Sequence, residues 1–370
     1  MLTMSRLYTY PIKSMRGLQL SHSLVNESGL TFDRNFMITT TDGTFITGRQ
    51  YPQMLLFTPM MLNNGLYLQA PNGESATVLY TDFKEEQSPT EVWGNHFTAL
   101  VAPDSVNTWL SHFFDRPVQL RWLSEELTRR VNKFPDIPLS FADGFPYLII
   151  NDASFYALQQ RCPASIKIEQ FRANIIVTGA APFEEDSWQV IQIGDIIFDL
   201  PKPCSRCILT TVSPERGRKN PQGEPLATLK AFRTAEEDGA VDFGQNAIAR
   251  NSGIIRVGDR ITVLEKKTPR KYGMGEQEKD LNIQKTMEQT VAIEFNGHHF
   301  IGNNQQIILE QLENQGIKIP YSCRAGICGS CKISLIQGDV LPLKSTAIKE
   351  NRQILACSCI PKNDLVIELN

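Results

Sequence analysis

Cys323, Cys328 and Cys331 stand in the order C-x4-C-x2-C, and Cys357 and Cys359 follow downstream. Three thiolates at that spacing, with a fourth further on, are what a loop needs to enclose a [2Fe-2S] cluster in sulfur. Gly326 and Gly329 lie among them, where a bare backbone can approach inorganic sulfide and offer it N–H groups. Disulfides are disfavoured, because the chain opens Met1-Leu2-Thr3-Met4-Ser5-Arg6 with no apolar segment that would direct it to an oxidising compartment. A zinc site would call for two C-x2-C pairs about 15–20 residues apart. The other such pair, Cys204 and Cys207, lies far upstream. A cluster moves single electrons and does no chemistry on organic bonds itself, so another part of the chain must hold what the electron is for.

Residues 291–370 resemble a plant-type ferredoxin domain. In such domains the closing cysteine is followed four residues later by proline, and Cys357-Ser358-Cys359-Ile360-Pro361 gives that role to Cys357, leaving Cys359 a bystander. The resemblance implies a β-grasp fold, and the local pattern agrees. Val291 to Phe295 and His298 to Ile301 alternate around Asn296-Gly297, a strong hairpin signal. Gln305 to Gln315 sets Ile308, Leu309 and Leu312 on one helical face and stops at Gly316, while Lys332 to Ile336 and Leu365 to Leu369 read as strands.

The elements that must hold the electron's destination lie before residue 265. The 370 residues allow two or three domains with real cores. A net charge of −3 gives no basic field for a nucleic acid polymer, and the longest apolar run, Met54 to Leu62, is broken by Thr58-Pro59 and too short to cross a bilayer. A protein free of membrane, and cytoplasmic, is the expectation. Short strands are expected at Leu18–Leu20, Asn35–Thr40, Leu66–Ala70, Ala76–Tyr80, His96–Ala102, Asn174–Thr178, Val190–Phe198, Ile208–Val212 and Gly253–Leu264. Helices are expected at Ser105–Phe114 and Ala153–Arg161, capped by Asp104 and Asp152. The fold class is therefore mainly β with α+β elements, of β-barrel or sandwich architecture with a few covering helices, in two pieces, residues 1–120 and 121–265. Polar, Gly-containing residues 266–289 read as a flexible linker, and residues 290–370 as the ferredoxin-type domain. A tethered redox domain can swing between donor and acceptor.

Cys204-Ser205-Arg206-Cys207 is where that destination is sought. A thioredoxin-like dithiol would open a helix, whereas this pair runs into the β-branched Ile208-Leu209-Thr210-Thr211. Two packed cysteines at a strand entrance would be the plain reading. An iron–sulfur domain in the same chain favours a redox metal bound by thiolate instead.

Residues 1–265 resemble the MOSC proteins, and within them the amidoxime-reducing branch with its N-terminal β-barrel. The matching residues are Tyr10-Pro11-Ile12-Lys13-Ser14, Phe32-Asp33-Arg34, Phe171-Arg172-Ala173-Asn174 and Cys204 to Thr211. The resemblance implies a molybdenum cofactor with Cys207 as the metal's protein ligand and catalytic residue, Cys204 being a neighbour. Molybdopterin carries a phosphate, which needs cationic forks and N–H or hydroxyl donors. Lys13, Ser14, Arg34, Arg172 and Arg206 are the candidates to supply them, Asn174 and Ser154 could satisfy pterin edges, and Ser205 is a further cofactor-binding candidate. Met15 after Ser14, and Ala173 where the branch often has proline, depart from the pattern. The five histidines show no ligand spacing, and Asp143-Gly144 reads as a turn former.

The expected activity is reduction of N-hydroxylated compounds, such as hydroxylamino-purine base analogues, to amines, a detoxifying role. Electrons would enter through the [2Fe-2S] cluster. With no Walker loop and no Rossmann fingerprint, an external NAD(P)H-dependent flavoprotein reductase is the expected donor. Two readings of another class stand beside it: a persulfide carrier for cofactor maturation using Cys207, and an electron-transfer module alone.

Overall fold

A computed structural model describes residues 1–124, 127–273, 289–304, 306–321, 329–343 and 347–369. These form two compact units, Met1–Arg233 with Val241–Lys271, and Thr234–Ala240 with Tyr272–Asn370.

The first unit is built on an eight-stranded sheet. Its order is Leu18–Leu20, Thr3–Thr9, Ile175–Thr178, Tyr147–Asn151, Asp242–Ala249, Ile196–Ser205, Trp188–Ile193 and Ile261–Lys266. The N-terminal strand thus lies inside the sheet of the second half, with Thr3 opposite Thr178 and Leu7 opposite Ile175. The chain crosses between its halves before residue 20 as well as near residue 120. Tyr147–Asn151 is buried at every position, as expected of a strand covered on both faces, and it runs parallel to Ile175–Thr178. The interior beside it is apolar: Met4, Leu7, Ile149, Ile175, Val177, Trp188, Ile191 and Phe198 form one cluster.

Between those passages the chain forms two smaller sheets. One is ordered Phe36–Thr40, Val118–Trp122, Asn95–Val101 and Ser88–Val92, the other Thr58–Leu62, Gly65–Gln69 and Ser75–Leu79. Their shared core includes Ile12, Phe36, Ile38, Phe57, Leu66, Phe83 and Leu120.

Several expected elements take a different local form. Val190–Phe198 is a hairpin, Trp188–Ile193 and Ile196–Ser205, turning at Gly194 with φ 56°. Gly253–Leu264 divides likewise into Gly253–Arg256 and Ile261–Lys266. Asn151, rather than Asp152, caps the helix Asp152–Arg161, its side chain accepting from the Ala153 N–H. Asp104 is the first residue of its helix, Asp104–Ser111, after Pro103. Ile208–Thr211 is a 3-10 turn rather than a strand. The Thr210 hydroxyl donates to the Cys207 carbonyl at 2.9 Å and the Thr211 hydroxyl to that of Ile208 at 2.7 Å. Such local bonds override the β-propensity of the side chains.

The linker reading also changes at its start. Ile261–Lys266 is strand to its last residue, the Lys267 N–H donates to the Ser187 carbonyl at 2.7 Å, and Arg270 Nη1 lies 2.9 Å from Asp242 Oδ2. Polar composition suggested a tether here, but these polar groups bond to the domain behind them. Tyr272–Gly273 pairs with Thr234–Ala235. The remainder of the expected linker, residues 274–288, lies outside the described residues.

In the second unit a five-stranded sheet runs His298–Asn303, Thr290–Phe295, Leu365–Leu369, Lys332–Gln337 and Gln353–Leu355. The helix Ile308–Asn314 buries Ile308, Leu309 and Leu312 against Ile293, Ile333 and Ile367. This is the β-grasp arrangement of a helix over a small sheet, with the hairpin at Asn296-Gly297 where the pattern indicated.

Candidate functional site

Cys207 lies two residues after the long strand Ile196–Ser205 and is the N-cap of the 3-10 turn that follows, with φ −127° and ψ 178°. Its carbonyl is held by the Thr210 N–H at 3.1 Å and the Thr210 hydroxyl at 2.9 Å. Its part-buried sulfur accepts a hydrogen bond from Arg49 Nε at 3.2 Å. The Cys204 sulfur accepts from Arg206 Nη1 at 3.0 Å and packs against an apolar cluster containing Phe171 and Phe243. Burial pushes the Cys204 thiol up, against the pull of Arg206. Both sulfurs thus accept from a guanidinium, Cys207 from Arg49 and Cys204 from Arg206, and Cys204 in addition packs on the apolar cluster.

Further cations arrive from distant parts of the sequence. Arg34 and Arg172 stack on the Tyr10 ring, 4.4 and 4.3 Å from its centre, and Arg34 Nη2 donates to the Arg172 carbonyl at 3.0 Å. Arg172 Nη1 donates to the Met15 carbonyl at 2.6 Å, joining this pair to the Lys13-Ser14 segment. Arg206 lies over Phe171 and donates to its carbonyl at 2.6 Å. Asn174 receives Arg34 Nη1 at 3.3 Å and the Leu148 N–H at 3.2 Å on its side-chain oxygen. Ser14, Arg34 and Arg172 all have left-handed backbones, with φ 67°, 54° and 55°. L residues seldom adopt that region, and it persists where surrounding structure enforces it, which happens most at functional sites.

Asp143, expected as a turn former, instead organises the opposite side. It pairs with Lys13 Nζ, accepts from Arg49 Nη2 at 3.1 Å, and accepts from Trp93 Nε1 at 2.9 Å. Its side chain is 52% exposed; partial desolvation pushes the carboxyl up, but Lys13 and Arg49 outweigh that and hold it well below the usual carboxylate range. Burial brings the Lys13 ammonium down to about 8, with Asp143 opposing the shift. Arg49 and Trp93 carry no spacing signal that could have nominated them, since they meet Cys207 and Asp143 only through the fold.

Lys13 and Arg49 pair with Asp143 and Arg34 with Asp33, while Arg172 and Arg206 form no ion pair among the described residues, so cations outnumber carboxylates in this set. Arg206 Nε is buried with no hydrogen-bond partner among the described residues. A thiol donor beside unneutralised guanidinium groups fits a metal carried by a phosphate-bearing cofactor. Ser205 sits at the edge, its hydroxyl donating to Asp242 Oδ1 at 3.1 Å. Ser154 does not join the cluster. It is fully buried elsewhere, donating to Glu185 Oε2 at 2.8 Å and accepting from the Phe183 N–H at 2.7 Å.

In the second unit strand pairing brings two of the expected cluster ligands together. Lys332 lies opposite Leu355, and the Ala356 N–H donates to the Cys331 carbonyl at 3.0 Å, so Cys331 and Cys357 flank one rung. Both are buried, and Gly329 beside them has φ 76° with open space where a side chain would stand. Cys359 belongs to another pairing, opposite Pro342, with its sulfur donating to the Ala347 carbonyl at 3.8 Å. Burial pushes its thiol up to about 12, as expected of a neutral core cysteine. Cys323, Cys328 and Gly326 lie outside the described residues.

Residues 1–117 match the MOSC N-terminal beta barrel domain, residues 136–262 the MOSC domain, and residues 293–362 the 2Fe-2S iron-sulfur cluster binding domain. A MOSC domain implies a molybdenum cofactor and the last domain a [2Fe-2S] cluster. Mitochondrial amidoxime reducing component 2 of Rattus norvegicus is 30% identical over 280 residues, covering 70% of this chain and 82% of its own length. Component 1 of Homo sapiens is 29% identical over 280 residues, with 71% and 83% covered. Among solved structures, pectocin M2 is 34% identical over 22% of this chain and 32% of its own, with a TM-score of 0.20.

Proposed function

Because this chain belongs to the family of amidoxime-reducing components and carries a 2Fe-2S cluster binding domain after its MOSC domain, we propose that it reduces N-hydroxylated compounds to amines with electrons drawn through its own cluster. The observation that carries the reading is the Cys207 sulfur held by the Arg49 guanidinium, in the same short segment as Cys204 and its partner Arg206, whose buried Nε–H has no partner among the described residues.

The molybdenum cofactor supplies the two-electron chemistry that cleaves an N–O bond, taking up two protons and releasing amine and water. Cys207 would hold the metal through Sγ. Lys13, Arg34, Arg172 and Arg206 would hold the phosphate, with Ser14, Asn174 and Ser205 as neutral donors or acceptors. Cys323, Cys328, Cys331 and Cys357 would hold the cluster. Asp143 keeps Lys13 and Arg49 from meeting the anion as unrestrained cations, and the Tyr10 ring holds both Arg34 and Arg172 against it. An external NAD(P)H-dependent flavoprotein reductase would reload the cluster, since the chain has no nucleotide fingerprint of its own. Hydroxylamino-purine base analogues fit the substrate class, giving a detoxifying role in the cytoplasm. Among the described residues no helix is long and apolar enough to cross a membrane.

Metal analysis of the purified protein, followed by reduction of an N-hydroxylated purine, tests this. Molybdenum near one and iron near two per chain, with amine formed, support it. Iron without molybdenum overturns it and leaves the persulfide-carrier and electron-transfer readings.

A further inference from the structure

The Cys207 backbone is fixed by Thr210, but among the described residues no hydrogen bond from its own turn reaches its sulfur. The direction of the sulfur is set from the other half of the first unit. Arg49 is 6% exposed, its Nε points at Sγ from 3.2 Å, and its Nη2 is tied to Asp143. The guanidinium lies on Trp93, 4.6 Å from the ring centre, and Trp93 Nε1 bonds to the same carboxylate. Arg49, Asp143 and Trp93 therefore form a closed triangle, so the plane that carries the Nε–H cannot swing freely. The loop bearing Arg49 sits close to the cysteine turn: a Cβ at Gly48 would come within 2.6 Å of Leu55 Cδ1 and 3.1 Å of Leu209 Cδ1.

We propose that Arg49 is a positioning residue for the metal-bearing sulfur, its Nε–H···Sγ bond fixing where the Cys207 thiolate points and drawing charge from it. This rests on the molybdenum reading of Cys207. Hydrogen bonds to a ligand sulfur tune the metal it binds, and partners one shell out typically change affinity or activity by about 10–100-fold when removed.

The test uses the full-length, metal-loaded protein with Arg49→Met and Arg49→Lys. The melting curve and the visible iron–sulfur absorbance verify that both variants fold. For Arg49→Met the expected result is a kcat lowered about tenfold or more, with KM within about twofold of wild type. A molybdenum(V) paramagnetic resonance signal of altered g values and a lower molybdenum reduction potential should accompany it. Arg49→Lys, which keeps the charge but not the planar fork, should restore part of the loss. If Arg49→Met retains no molybdenum, the signal of Arg49→Lys decides: altered supports the proposal, unaltered overturns it. A loaded Arg49→Met protein with the wild-type signal and potential overturns it too. Wild-type protein without molybdenum is a different failure, that of the functional reading itself.

Discussion

Glu185 illustrates how far a single side chain can depart from its ordinary chemistry. It is 1% exposed, and burial pushes its carboxyl up to about 7, against hydrogen bonds from Ser154 and Asn151 that pull it down. The native state then binds this proton more tightly than the unfolded chain. Its stabilising contribution is full below pH 4.5, the ordinary value, and is lost as pH rises through about 7. Glu185→Gln should therefore be close to neutral at pH 5 and stabilising by up to about 3 kcal/mol at pH 8. Denaturant midpoints at the two pH values check it, and equal shifts at both would show that Glu185 does not titrate there. Ser154→Ala should cost about 1–3 kcal/mol by removing a buried partner of that carboxyl, with molybdenum content unchanged. A loss of molybdenum with stability intact would return Ser154 to the cofactor site. The hydroxyl was nominated from sequence as a pterin donor, and only its neighbours in space redirect it.

At the scale of elements, the informative comparison is between two cysteines separated by one residue. Cys357 leaves the rung that holds Cys331, while Cys359 enters a strand opposite Pro342 and is fully buried. Cys357→Ala should abolish the visible iron–sulfur absorbance, whereas Cys359→Ala should keep it and cost only packing. Cluster loss from Cys359→Ala alone would reverse the assignment of the fourth ligand. The turn after Cys207 teaches a related lesson. Four successive apolar or β-branched residues read as a strand, yet two threonine hydroxyls bend back onto the carbonyls three residues earlier. Side-chain hydrogen bonds of that range leave no trace in a hydropathy pattern. The hairpin at Asn296-Gly297 and the helix face of Ile308, Leu309 and Leu312 were readable, because turn chemistry and helical period are local.

For the whole molecule the two-site reading predicts separable losses. Cys207→Ala should abolish reduction with any donor while the iron–sulfur absorbance persists. Cys328→Ala should remove that absorbance and turnover with the flavoprotein donor, while molybdenum content and turnover with a small chemical reductant persist. Full activity of Cys328→Ala with the flavoprotein donor would mean that electrons bypass the cluster. The segment between the two units begins later than composition indicated, since Lys267 and Arg270 are bonded to Ser187 and Asp242. A polar stretch reads as a tether whether its groups face water or a buried carboxylate.

The sequence alone determined what could be written in short spacings: the cysteine loop with its downstream partners, the β-grasp hairpin and helix, and the mainly β character of the first 265 residues. It also supplied most of the cations, through motifs carried by residues 10–14, 32–34, 171–174 and 204–211. Tertiary structure decided which of these groups meet. It joined Lys13 to Asp143, brought Arg49 to the Cys207 sulfur, packed Cys204 on an apolar cluster and sent Ser154 to Glu185. The physical reason is range. Turn preference and side-chain period act over a few residues, whereas a buried charge is fixed by whichever partner the fold delivers to it, here from more than a hundred residues away.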